Sequence, residues 1–479
     1  MVNPGAAVIA SVSRLRRQNK YPPTPWSAQR LYRPFVRWSL VVALTLGFTA
    51  GAAMLLLSAL KVSVGLSWIT HTQAHGAAQV FGWAGLFMMG VAFHVVPRFR
   101  NGPIDFPWPQ RGVLALVLAG IVLRFTGQTV DAPAVSPGVL FASGACLGLG
   151  VALFVLVIGR ALHRGTAPHG PAEPWLGMGL IWAVAAAGLH LNIVARMGLD
   201  NSLVAPLFLD GAFVHAATLG FIGNFIFGVS LRAVTAFLGL PPARRGLGWL
   251  AFGCINGGIG LTVGGWLADL EPWLLAAGAL LELIGFASLV ASIGLFGRRN
   301  TPPEYNLGTY VRYGWFIRSA YGWLLVAGIL QALQATGGVL DTEVLTTGLA
   351  KPTVHVLALG FITMMIMGMG SRMIPLFEGS ILPGHRLMDL AFVCMNAGVI
   401  LRLAFGLLPL GAEWPGLAAS GVLGALALAF FAWVVWHALG PAAREAYRVR
   451  AQEFGRQHMT QTPLVIGKSL RPPGGKPLD

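Results

Sequence analysis

Eleven histidines are spread along the 479 residues, and three of them stand where an imidazole can do chemistry. His75, His215 and His355 each lie near the start of a long apolar stretch. His215 and His355 precede matching glycines, Gly220 and Gly360, by five residues. His75 precedes Gly82 by seven, with Ala77 in the aligned place. An ionisable side chain inside a bilayer is costly and usually faces a cavity or the interior of a helix bundle. A neutral imidazole is also a common ligand for haem iron and for copper. Three imidazoles at similar depth are therefore candidate metal ligands, the plainer role being an interhelical hydrogen bond. His190 lies in the same half of the preceding segment, as a fourth candidate ligand or a donor behind one. His94 follows His75 by about 28 Å of helix and cannot share a site with it; its plainer role is an interfacial cation.

Arg124 and Arg402 occupy equivalent places at the same ends of two other segments. Guanidinium binds carboxylates in a bidentate fork, so both are candidates to hold the acidic groups of a cofactor, as haem propionates are held. Snorkelling to the interface is the alternative. Glu282, in the middle of an apolar run, reads either as a proton-relay carboxyl or as a neutral, hydrogen-bonded acid. Asp210 reads as a helix cap or as a group orienting His215.

These residues need a scaffold, and composition defines it. The chain is 55% hydrophobic and 10% charged, with a mean hydropathy of +0.69. A soluble domain carries about 25% charged residues, so a soluble enzyme is excluded, and so is disorder. The apolar runs are continuous rather than alternating, which excludes a membrane barrel. The expectation is an all-α polytopic membrane protein with about twelve transmembrane helices, at residues 36–60, 72–97, 111–127, 138–162, 176–197, 208–237, 246–266, 273–297, 317–337, 351–376, 386–407 and 414–439.

Lys and Arg number 33 against 17 Asp and Glu, a net charge of +16. In a soluble chain this would suggest nucleic acid; here it marks cytoplasmic loops, and no nucleic-acid partner is expected. The basic residues gather in residues 1–35, in alternate loops and in residues 441–479, while Asp131, Asp200, Asp269, Glu271, Asp341, Glu343 and Glu413 fall in the other loops. Both termini are thus expected inside, at a bacterial inner membrane, with the lipid bilayer as the first partner. Residues 1–35 form an arm, 36–440 the membrane domain, and 441–479 a tail. The three cysteines lie in apolar runs and imply no disulfide framework.

The membrane domain repeats. GWAGLFMMGVAFHVVPRF (82–99), GFIGNFIFGVSLRAVTAF (220–237) and GFITMMIMGMGSRMIPLF (360–377) share Gly-x7-Gly, then His94, Arg232 or Arg372, then Phe99, Phe237 or Phe377. AFGCINGGIGLT (251–262) and AFVCMNAGVILR (391–402) keep the register in the next helix. Three parallel four-helix repeats follow, at about 36–165, 176–300 and 317–440. The paired glycines are expected to permit close helix packing.

The pattern resembles the NnrS family of multi-span haem- and copper-containing membrane proteins. Arg33-Pro34-Phe35 before the first span resembles that family's Arg-Pro-Phe opening. His75 with Phe81-Gly82 resembles the first half of its His-Ala-His-Glu-x-x-Phe-Gly segment, although Ala77 and Ala78 replace the second His and the Glu. His355-Val-Leu-Ala-Leu-Gly360, with Arg372 seventeen residues after the His, fits the family's last segment best. The architecture is also similar to subunit I of haem–copper oxidases, without their adjacent histidine pair. The resemblance implies non-covalent, b-type haem, since no CxxCH motif is present, with copper as a further cofactor. It implies a role in nitric oxide metabolism or nitrosative stress, with nitric oxide and a redox partner as ligand and partner. His75, His215 and His355 are the expected ligands, with His190 behind them and Arg124 and Arg402 on propionates. The rival readings are a proton-coupled transporter centred on Glu282 and a diverged structural subunit of a respiratory complex.

Overall fold

The computed structural model describes residues 30–62, 67–102, 104, 108–129, 136–297, 309–407 and 413–460. Residues 1–29 of the expected arm and 461–479 of the expected tail lie outside them, as do Asp131, Arg298 and Arg299. Among the described residues there is no strand. Twelve helices are long and apolar enough to cross a membrane: α1 (Tyr32–Ala59), α2 (Trp68–Arg100), α3 (Trp108–Thr129), α4 (Pro137–Arg164), α5 (Glu173–Leu199), α6 (Leu207–Leu238), α7 (Arg245–Leu267), α8 (Pro272–Ile293), α9 (Tyr313–Val339), α10 (Leu345–Glu378), α11 (His385–Leu407) and α12 (Glu413–Ala438). Each matches an expected span. Helix is the form a lipid-facing segment must take, because it satisfies its own backbone polar groups.

The helices sort into two layers. The apolar windows of α2, α6 and α10 are 94%, 67% and 78% buried, against 22–50% for the other nine. These three form the centre, where Phe81 stacks on Phe221 at 5.8 Å and Phe227 on Phe361 at 5.7 Å. The repeat glycines set how closely each central helix meets the first helix of its own unit. A Cβ on Gly220 would lie 2.7 Å from Trp182, and one on Gly360 2.7 Å from Trp323. One turn pair further on, Gly228 meets Trp175 and Gly368 meets Phe316 at 2.8 Å. In the first unit Gly82 meets Val42 and Gly90 meets Phe35, both at 2.5 Å. The same tryptophans bind the third helix of the unit: Trp182 Nε1 donates to Asn256 at 3.1 Å, and Trp323 Nε1 to Asn396 at 2.9 Å.

The positions that end each repeat segment form a closed circuit between units. Arg232 lies over Phe99, 4.3 Å from the ring centre, and Arg372 over Phe237 at 5.3 Å. His94 completes it on Phe377, with ring centres 3.9 Å apart. His94 is buried and also meets Tyr32 edge-on, so it is a packed ring of the core and not the interfacial cation expected.

Wide π-helical winding recurs at equivalent places in the central helices: Ala78–Gly85, Ala216–Gly223 and Val356–Thr363. Each follows the histidine position of its repeat. A further stretch, Ala43–Gly47, interrupts α1. Such winding often marks functional sites.

The expected tail begins with a helix, α13 (Pro441–Thr460). It docks on the end of α10, where Ile381 N–H donates to the Ala443 carbonyl at 3.2 Å. Buried Glu378 is the hub. It accepts from Tyr32 Oη at 2.6 Å, from Arg33 through two nitrogens and from Arg444 at 3.2 Å, with Arg30 beside it at 3.3 Å. A second joint precedes α9. Tyr310 Oη and Arg312 Nε both donate to Asp389 at 2.7 Å. Burial first, then the bond to Asp389, holds the Tyr310 phenol above its usual range, and the same carboxylate raises the Arg312 guanidinium.

Candidate functional site

The candidate residues fall into three clusters. The first joins the first and third units. His75 on α2 packs its ring against α1, where a Cβ on Gly51 would come within 2.8 Å of Cε1. The ring reaches the backbone of Leu46 and Gly47 in the π-helical stretch of α1, while its buried Nδ1 has no hydrogen-bond partner. His355 on α10 and Arg402 on α11 lie within electrostatic reach of His75 and of each other. His355 Nδ1 donates to the Lys351 carbonyl one turn earlier at 2.8 Å. That bond fixes the tautomer and leaves the Nε2 lone pair available, as second-shell bonds do in metal-ligating histidines.

The second cluster lies in the second unit, with one donor from α9 of the third. His215 Nε2 meets Glu282 Oε1 at 2.7 Å. Thr262 Oγ1 donates to the same oxygen at 3.1 Å, and Gln331 Nε2 donates to Oε2 at 2.9 Å. With Glu282 ionised the carboxylate only accepts, and His215 then carries its hydrogen on Nε2. Glu282 is fully buried, and its three donors satisfy it. Thr262 stands in the register of Arg124 and Arg402, so the repeat places a polar side chain beside the central helix in every unit.

The third cluster lies between the first two units. Arg124, 1% exposed, donates through Nε to Gln128 Oε1 at 2.7 Å, and Gln128 Nε2 donates to Gln73 Oε1 at 3.0 Å. Arg124 lies within electrostatic reach of His190 and Asp210. His190 is fully buried, with Ser143 Oγ 3.3 Å from Nε2. Asp210 is not the cap: Pro206 occupies the N-terminal cap position of α6, without a side-chain cap bond. Arg124 and Arg402 are equivalent in sequence but belong to different clusters, one with His190 and one with His75 and His355.

Among the described residues no three His, Cys, Asp or Glu side chains converge as a metal cluster. The first cluster still sets two imidazoles within electrostatic reach of each other, one with a pinned lone pair and one with a buried, unpartnered nitrogen. Two nitrogen donors with an adjacent guanidinium form a donor set that fits haem iron and a propionate. Sequence reasoning missed Gly51, Gln73, Gln128, Ser143 and Gln331. Only Thr262 carried a signal, its repeat register.

The fold and these clusters define a polytopic α-helical membrane protein with recurring features in its three central helices and with buried imidazole, carboxylate and guanidinium groups held between helices. Residues 307–442 match the family model described as NnrS protein, and over that stretch, which spans α9 to α12 with His355 and Arg402, the chain carries the NnrS pattern. No curated protein matches the chain.

Proposed function

We propose that the chain is an NnrS-type membrane haem protein acting in nitric oxide metabolism or the response to nitrosative stress. The observation that supports this best is the approach of His75, His355 and Arg402, with the His355 tautomer set for ligation. His355 and His75 would hold a non-covalent b-type haem, Arg402 would pair with a propionate, and copper is a second candidate metal. Haem iron would supply a site for nitric oxide or for electron exchange with a redox partner. The protein's own contributions are orientation and exclusion of water. Lys351 fixes one imidazole, Gly51 gives the other room, and the apolar central layer keeps the site dry. His215 is held by Glu282, and His190 and Arg124 belong to a separate cluster; in this reading they are support and not ligands. The basic-loop bias supports an inner-membrane location with both termini cytoplasmic.

The test is an optical spectrum of the purified protein, oxidised and dithionite-reduced, with metal analysis. A Soret band with a reduced α-band, lost in His355→Ala and His75→Ala but kept in His215→Ala, is expected. Folded protein without haem or copper after expression with haem supplied refutes the proposal.

A second reading rests on the Glu282–His215 pair, a buried carboxylate bonded to an imidazole, which suits proton-coupled transport. Proton uptake coupled to solute movement in proteoliposomes, abolished by Glu282→Gln, would favour it.

A further inference from the structure

The central helices do not fill the space between them. In the half of the bundle towards the His94–Phe377 contact, α2, α6 and α10, with Leu176 of α5, line a partly open cavity of about 70 Å³. Phe87 and Ala92 of α2, Phe225 and Val229 of α6, and Met365 and Met369 of α10 are among its walls. The lining is almost wholly apolar, and water needs two to four polar partners to stay in such a space. A cavity of about 150 Å³ with this kind of lining stays dry and takes benzene or xenon. One about half as large has room for a single xenon atom or a diatomic gas.

One wall has a distinct chemistry. The residues facing the cavity at equivalent repeat positions are Phe87, Phe225 and Met365, then Val91, Val229 and Met369. At these positions the third unit presents thioethers, with Met373 one turn beyond, and the other two present hydrocarbon; Met88 of α2 adds a fourth thioether and Ser230 of α6 a hydroxyl. Thioether sulfur is soft and polarizable, and dispersion with a polarizable guest gains from it. A soft cation is the other guest that thioethers recognise. No carboxylate lines the cavity, and Arg232 and Arg372 stand at its end of the bundle, so charge disfavours a cation.

We propose that this axial cavity is a binding site for a small, uncharged, apolar gas molecule. The inference stands apart from the haem reading, because it needs no cofactor. The full-length protein is crystallised and pressurised with xenon. A single xenon peak between α2, α6 and α10 is expected. It should vanish in Ala92→Leu, which adds three carbon atoms to the wall, and persist in Met365→Leu, which keeps the volume. Val229→Phe fills the same space from α6 and serves if Ala92→Leu does not fold. No xenon peak in the cavity, or an undiminished one in both filling variants, overturns the proposal. So does a silver(I) soak that occupies the cavity, and is lost in Met365→Leu, where xenon does not bind.

Discussion

Replacing Glu282 with leucine should expose how much of the second unit's stability depends on one buried carboxylate. Three donors converge on it, from His215, Thr262 and Gln331, on α6, α7 and α9. Interhelical hydrogen bonds in membranes contribute about 0.6–1.7 kcal/mol each. Thr262 can turn back to a carbonyl of its own helix, so two donors are stranded and the loss is about 2–3 kcal/mol, including the cost of leaving them unsatisfied. That is about a 30- to 150-fold change in the folding equilibrium. Glutamine behaves differently. Its oxygen can accept from Gln331 while its amide donates to Thr262 and to His215 Nε2, provided that the hydrogen of His215 moves to Nδ1. Glu282→Gln should therefore stay within about 1 kcal/mol of the parent and invert the imidazole tautomer. Unfolding by SDS titration in mixed micelles measures the first quantity, and ¹⁵N NMR of labelled histidine the second. The reasoning fails if Glu282→Leu costs less than about 0.5 kcal/mol, or if His215 keeps the same tautomer in Glu282→Gln.

Gly360→Ala would place a methyl group 2.7 Å from the Trp323 ring and should destabilise by about 1–3 kcal/mol, whereas Gly253→Ala, which meets nothing within 4 Å, should be neutral or slightly stabilising; unfolding midpoints in detergent distinguish them. Glu378→Gln leaves Arg33 and Arg444 without their carboxylate, so amide hydrogen exchange in α13 should rise well above that in α12; equal protection would show that the joint does not hold the helix. The Tyr310 phenol binds its proton more tightly when folded, so its contribution is complete below its usual value near 10 and is lost as pH climbs above it. Tyr310→Phe should flatten that alkaline loss in a pH series of melting temperatures, and an unchanged slope would remove Tyr310 as its source.

The spans, the three-unit plan and the packing role of the paired glycines were legible because hydropathy and repeat register are one-dimensional signals. Azimuth around a helix is not. His75, His215 and His355 all read as central, yet only His75 and His355 come within reach of each other, and His215 turns to Glu282. Arg124 and Arg402 share a register, but the neighbours that give them their roles come from different units. Gln331 and Ser143 carry no mark in the chain, since a polar residue in an apolar helix looks alike whether it bridges helices or faces lipid. The π-helical stretches were also hidden. Ala78–Gly85 differs little in composition from ordinary helix, and a wide turn is set by what packs against it. His94 was misread for a related reason. Its repeat partners are arginines at the end of the bundle, but Tyr32 and Phe377 enclose it.

The circuit of Phe99 with Arg232, Phe237 with Arg372, and Phe377 with His94 means that no unit finishes itself. Each end contact is completed by a residue from another unit, and the last one closes back on the first. This is the head-to-tail logic of a cyclic trimer, written into one chain. Two of its three joints form between neighbouring repeats as the chain grows. The third joins residues 283 positions apart, and must wait until the final central helix is made. Until then Tyr32 of the first unit meets the His94 ring from one side only, so completion of the bundle is registered at the place where the chain's beginning meets its end.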